Sequence, residues 1–208
     1  MEVIKMKIFL VGSTGRVAIE VLKLLSAQGK KVIAGARWPA AVEKLPHVTA
    51  VKLDLHAPVD KLAELVAGVD AIIFTAGSRG KDLLQTDAYG AVKLMQAAQL
   101  AGVKRFVMLS ALYSLTPTKW PASLTDYYIA KFFADNYLVN QTDLDYTIVQ
   151  PGSLVEEPST GLVAKKEALG AIPIGDVAAV LVAVVDKVQT YGQAIPVIAG
   201  DQPIAAIF

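Results

Sequence analysis

Tyr127 and Lys131 stand four residues apart in a stretch with helical patterning from Asp126 to about Asn140. That spacing puts both side chains on one helix face. A phenol beside an ammonium is an acid–base pair, because the positive charge favours the phenolate as a proton leaves. Tyr128 offers a neighbouring register, without a lysine four residues on. Near the start of the chain, Lys7–Ala18 reads KIFLVGSTGRVA. An apolar run, Ile8–Val11, turns through Gly12, Ser13, Thr14 and Gly15 and enters a helical pattern at Arg16, Val17 and Ala18. A helix N-terminus gathers unpaired N–H groups at the positive end of the helix dipole, which makes an anion site. Gly12 and Gly15 leave room for a phosphate, and Ala18 is small enough for the helix to pack on its strand. The spacing is G-x-x-G-x-x-A, not G-x-G-x-x-G.

Two further positions belong with this turn. Arg37 ends the second apolar strand, roughly 20 residues past the glycines, where a dinucleotide fold faces the adenosine ribose. A carboxylate there would select NAD. The chain has no acid until Glu43, and a guanidinium suits a 2′-phosphate, so NADP is expected, with NAD possible. Arg16 is a candidate for a second positive contact. Asp54 and Leu55 close the third strand, where a carboxylate can accept from an adenine amino group while the leucine covers the ring.

The elements that must position these groups alternate. Strands are expected at Ile8–Val11, Val32–Ala36, Val48–Asp54, Ala71–Thr75, Phe106–Leu109, Tyr146–Gln150 and Ala194–Ile198. Helices are expected over Gly15–Gln28, Asp60–Ala67, Leu83–Leu100, Asp126–Asn140 and Asp176–Lys187, with Thr125 or Asp126 capping the fourth. The segment from Pro151 to Gly175 reads as irregular. Nearly continuous apolar strands alternating with helices predict an α/β fold, a doubly wound parallel sheet covered on both faces. Ligands then bind beyond the C-terminal strand ends, here Gly12, Arg37, Asp54, Ala76, Ser110 and Pro151.

Composition narrows the classes. The 208 residues include 54% hydrophobic and 19% charged side chains, enough for one large core. A net charge of +1 gives no reason to expect nucleic acid or an anionic membrane as partner. The absence of cysteine excludes disulfides and thiolate chemistry and fits a reducing, cytoplasmic setting. No secretory leader is read, and the longest apolar run, Val177–Val185, is too short to span a bilayer. His47 and His56 stand alone, so no metal site is expected.

The chain resembles the atypical short-chain dehydrogenase/reductases, in particular the compact NAD(P)H-binding, flavin- and biliverdin-reductase-like group that is also labelled NAD-dependent epimerase/dehydratase-like. The match is carried by Gly12–Ala18, Arg37, Asp54-Leu55, Thr75–Ser78, Lys104–Ser110, Tyr127–Lys131, Asp145–Gly152 and Asp176–Ala178. The resemblance implies a single Rossmann domain over residues 1–208, with 111–125 and 152–175 as substrate-side loops. It implies that Gly12–Val17 hold the pyrophosphate, that Thr75, Ala76 and Gly77 line the middle of the cofactor, and that Pro151, Gly152 and Leu154 border the nicotinamide amide. Tyr127 would be the proton donor, with Lys131 at the nicotinamide ribose and Ser110 as the polarising hydroxyl. The chain departs from the family's frequent serine pair, reading Ser110-Ala111, so Ser114 is an alternative source of that hydroxyl. Trp120 and the loop Ala76–Asp82 are candidates to close over the site. The expected function is an NADP-binding oxidoreductase passing hydride to or from a small or planar acceptor, as a monomer or homodimer. A redox sensor that binds NADP(H) without turnover and a nucleotide-sugar epimerase are the alternatives.

Overall fold

A computed structural model describes residues 6–208. In chain order the main elements are β1 (Lys7–Val11), α1 (Arg16–Ala27), β2 (Lys31–Ala36), β3 (Val48–Lys52), α2 (Val59–Val66), β4 (Ala71–Phe74), α3 (Ala91–Leu100), β5 (Arg105–Leu109), α4 (Thr125–Gln141) and β6 (Asp145–Pro151). They continue with β7 (Ser153–Val155), β8 (Leu162–Ala164), β9 (Ala171–Pro173), α5 (Ile174–Val184), β10 (Gln193–Ala199), β11 (Gln202–Pro203) and α6 (Ile204–Ile207).

Nine strands form one sheet in the order β11-β8-β10-β6-β5-β4-β1-β2-β3. The seven from β10 to β3 pair in parallel, and β8 and β11 extend the edge antiparallel. This is a Rossmann-like α/β sheet. Its connections run outward from β1 in both directions, so a crevice opens above the C-terminal ends of β1 and β4.

Strand period and helix period meet in the core. Ile8 and Leu10 of β1 point to the face covered by α1 and α5, where they join Val21, Leu25, Val177 and Leu181. Phe9 and Val11 point to the face covered by α2, α3 and α4, with Leu62, Leu94 and Leu138. Each such fully buried aliphatic side chain contributes on the order of 1.5–3 kcal/mol relative to exposure. Arg105 is also inside. It donates to the Val184, Val185 and Asp145 carbonyls and to Thr147 Oγ1, tying the C-terminus of α5 to β5 and β6. Burial pulls its guanidinium down to about 10.

Four expectations change. The long helix starting at Leu83 is π-helical over Leu83–Gly90 before α3 begins. The segment after Pro151 is not irregular: β7 and β9 pair in parallel beside the main sheet, and β8 joins its edge. Short strands of three residues carry too little alternation to be read from sequence. The fifth helix starts at Ile174, directly after Pro173, so Asp176 lies inside its first turn and points inward, accepting from Thr160 and Gly161 N–H and from Thr160 Oγ1. The N-cap position of α4 is Leu124, and Thr125 Oγ1 donates back to Ala122 O at 3.0 Å. Among the described residues no helix is long and apolar enough to cross a membrane.

Candidate functional site

Two cavities of about 320 and 270 Å³ lie along the C-terminal strand ends and share Gly15, Thr75, Ala76, Gly77 and Arg79 in their walls. The turn after β1 bridges them. Gly12 has φ +81°, and its N–H and that of Ser13 both donate to Gly35 O, at 3.0 and 3.1 Å. A side chain at Gly12 would collide with the backbone of Ala76, so glycine is required here both by φ and by contact. Gly15 is the N-cap of α1. No side chain caps the helix, and its first turn holds no acid. The first N–H groups of α1 are therefore uncapped at the shared part of the cleft that Gly15 lines, which fits a pyrophosphate. Ser13 is the exception in this turn. It is fully buried, and its Oγ donates to Leu10 O at 2.8 Å, so its side chain braces β1 and does not line the cleft.

The larger cavity is walled by Arg37, Trp38, Asp54, Leu55 and His56, with Thr14 at the turn. Arg37 is exposed at the end of β2, and Leu55 is buried beneath. Asp54 Oδ1 accepts from the His56 N–H at 2.9 Å and so partly closes its own turn. His56 Nε2 lies 2.8 Å from Asp82 Oδ2, which also accepts from Thr86 Oγ1. Those two bonds, with Arg37 adding a smaller effect, hold the Asp82 carboxyl below its ordinary range. Arg16 is not at this end. It lines the other cavity and pairs with Glu156 at 2.9 Å, and the second arginine in the wall of the larger cavity is Arg79.

The smaller cavity gathers Tyr127, Lys131, Ser110, Val17, Leu154 and the Pro151-Gly152 turn. Gly152 is pressed against Gly170, where a Cβ would collide with its carbonyl oxygen. Lys131 is buried, with Nζ 5.8 Å from the Tyr127 ring centre and 3.3 Å from Leu109 O. Tyr128 is turned into an aromatic cluster with Trp120 and Phe132, and burial pushes its phenol up. Trp120 packs on α4 and donates to Tyr113 O at 2.9 Å, so it anchors its loop and lines neither cavity.

Ser110 lines the cleft, and its Oγ is hydrogen-bonded to Asp135 Oδ2. Ser114 is fully buried; it donates to the same oxygen and accepts from Gln150 Nε2 at 2.7 Å, so it supplies no hydroxyl to the cleft. Asp135 is completely buried, and desolvation pushes its carboxyl up to about 6, against the opposing pull of the two serines and Lys131. Its other oxygen, Oδ1, has no partner among the described residues.

Asp135 and Asp87 were not singled out from the sequence. Asp135 continues the i, i+4 row as Y-x-x-x-K-x-x-x-D, a signal that was there to find. Asp87 gave none. The π-helical segment buries it in the wall of the smaller cavity, where it accepts from the Ser78 N–H at 2.9 Å. Trp38, just past the end of β2, also lines the cleft and is 71% exposed.

The chain is similar to known proteins along most of its length. The chain is 47% identical to the oxidoreductase ylbE from Lactococcus lactis, whose crystal structure matches with a TM-score of 0.94 over 97% of this chain and 94% of that one. It is 36% identical to the Bacillus subtilis (strain 168) protein named uncharacterized sugar epimerase YhfK, over 96% of this chain and 97% of that one. It is 31% identical to the Synechocystis photosystem II assembly factor Ycf39, over 82% of this chain but 49% of that one. The family model described as NAD(P)H-binding matches residues 12–187. The chain belongs to this NAD(P)H-binding family, in keeping with the atypical short-chain dehydrogenase/reductase resemblance.

Proposed function

We propose that the protein is an NADP-dependent oxidoreductase that passes hydride between the nicotinamide and a small or planar acceptor. The observation that carries this reading is the bipartite cleft. A guanidinium, Arg37, stands at one end, the uncapped start of α1 lies at the middle, and Tyr127 with Lys131 stand at the other end. When bound, the nicotinamide supplies or accepts the hydride. Arg37 holds the 2′-phosphate, and Thr75–Gly77 line the path between the two halves. Tyr127 donates or takes the proton, with the buried Lys131 charge beside its ring. The L. lactis relative is itself named an oxidoreductase.

A nucleotide-binding reporter without turnover is the second reading. The bond from Ser110 to Asp135 favours it, because that hydroxyl is then not available to polarise a carbonyl. The Synechocystis relative, named for assembly, is in keeping with such a role.

The test is NADPH-dependent reduction of a panel of quinones, flavins and dicarbonyls, run beside nucleotide titration. Tyr127→Phe is expected to bind NADPH like the wild type and to lose about 10²–10⁴-fold in turnover. Equal rates would remove Tyr127 from its role. Binding without turnover on any acceptor would favour the reporter, and absence of nucleotide binding would end both readings.

A further inference from the structure

Asp135 is a carboxyl group sealed from solvent, with two hydroxyls on one oxygen and no donor on the other. Buried polar atoms are nearly always paired, and this orphan oxygen belongs to a carboxyl bonded to a residue of the cleft wall, Ser110. Its place is specific: one turn beyond Lys131 on α4, directly behind Ser110.

Gln150 Nε2 donates to Ser114 Oγ, so the Ser114 proton is left for Asp135 Oδ2. Ser110 has one proton and two lone-pair directions. A carboxylate is acceptor-only, so while Asp135 is ionised the Ser110 proton points back at Oδ2. Towards the cleft Ser110 then shows only lone pairs. In the acid form an O–H on Oδ1 would meet no acceptor among the described residues, so the proton sits on Oδ2 and reverses this: the acid donates to Ser110 Oγ, and the Ser110 O–H is free to turn to the cleft.

We propose that Asp135 is a positioning residue that sets the polarity of Ser110, making it an acceptor for a ligand hydroxyl when ionised and a donor to a ligand carbonyl when protonated. This rests on the oxidoreductase reading of the Tyr127 side. The change involves one proton taken from water and one rotation about the Ser110 Cβ–Oγ bond, with no covalent step to the substrate. Carbonyl reduction is thereby matched to the protonated form and alcohol oxidation to the ionised one.

The charged groups on the elements packed against α4 are held by partners of their own. On its own helix Lys131 is the charge acting on it, and favours the ion. On the π-helical segment against α4, Asp87 is held by the Ser78 N–H. On α3, the buried Lys93 is held by Ala57 O at 3.0 Å. The ends of β5 and β6 bring only the neutral Ser110 and Gln150.

Two measurements test this. In protein labelled with ¹³C at aspartate Cγ, the Asp135 resonance is followed from pH 4 to 9 without nucleotide. Ser110→Ala is expected to shift its transition upward by half a unit or more, because the ion loses a donor; an unmoved transition overturns the proposal. The pH profile of kcat/KM for dicarbonyl reduction by NADPH is then compared between wild type and Asp135→Asn. The wild type is expected to lose about tenfold per pH unit above the Asp135 transition, with that limb absent in Asp135→Asn and the KM for NADPH unchanged. A limb that persists overturns the proposal. The labelled Ser110→Ala arm stands even where Asp135→Asn does not fold. Nucleotide binding with no turnover on any acceptor removes the oxidoreductase reading and this proposal together. Turnover with an unmoved Asp135 removes only the proposal.

Discussion

A Cβ on Gly12 would stand 2.7 Å from Ala76 Cα. The turn after β1 and the loop after β4 therefore touch through their backbones at the point where the sheet's connections diverge. No rotamer change can relieve a clash with main chain, and φ +81° adds strain for any L side chain.

Gly12→Ala is thus expected to cost about 2–5 kcal/mol of stability and to weaken every nicotinamide nucleotide alike. Urea unfolding and calorimetric titration check it. Wild-type affinity in the variant would mean that the turn does not hold the phosphates.

Arg37→Ala is expected to discriminate. A charge-assisted contact to a 2′-phosphate is worth about 1.5–3 kcal/mol, so NADPH binding should weaken roughly 10–100-fold while NADH binding stays within about twofold. Titration with both nucleotides decides. Equal loss for the two would remove Arg37 from the 2′-phosphate.

The two tryptophans report on different places. Trp38 lines the larger cavity and is exposed, whereas Trp120 is packed against Tyr128 and Phe132. NADP⁺ is therefore expected to change emission through Trp38. The change should vanish in Trp38→Phe and survive in Trp120→Phe, read by fluorescence titration.

Asp135 carries a pH signature of stability. Its carboxyl titrates at about 6 when folded, against about 3.9 in an unfolded chain. Between those values the folded state binds the extra proton, so stability falls as pH rises through the window and levels off above it. Relative to Asp135→Asn, the wild type should lose roughly 2–3 kcal/mol from pH 4 to pH 7. Urea unfolding at both pH values measures the difference. Asp82, held below its ordinary range, acts with the opposite sign in both proteins and cancels.

Much of the frame was readable from local pattern. The run Ile8–Val11 declared a strand buried on both faces, and the glycines after it declared a turn into a helix, because both signals lie within a few consecutive residues. Arg37 was placed by its position at a strand end, and Tyr127 and Lys131 by helical spacing. The strands at Ser153–Val155 and Leu162–Ala164 were not readable, since three residues carry no period and their pairing partners lie elsewhere in the chain.

By itself, then, the sequence determined the parallel α/β frame, the glycine turn at its centre and the shared face of Tyr127 and Lys131, all of which follow from spacing along the chain. Only the tertiary structure decided which polar groups reach the cleft. Ser13 turned to Leu10 and Ser114 to Asp135 and Gln150, while Ser110, Asp87, Trp38 and Arg79 took places in the walls, as did Arg16 at the smaller cavity, paired with Glu156. The physical reason is that a short polar side chain takes whichever partner non-local packing brings within hydrogen-bond reach, and that partner is set by the meeting of segments far apart in the chain.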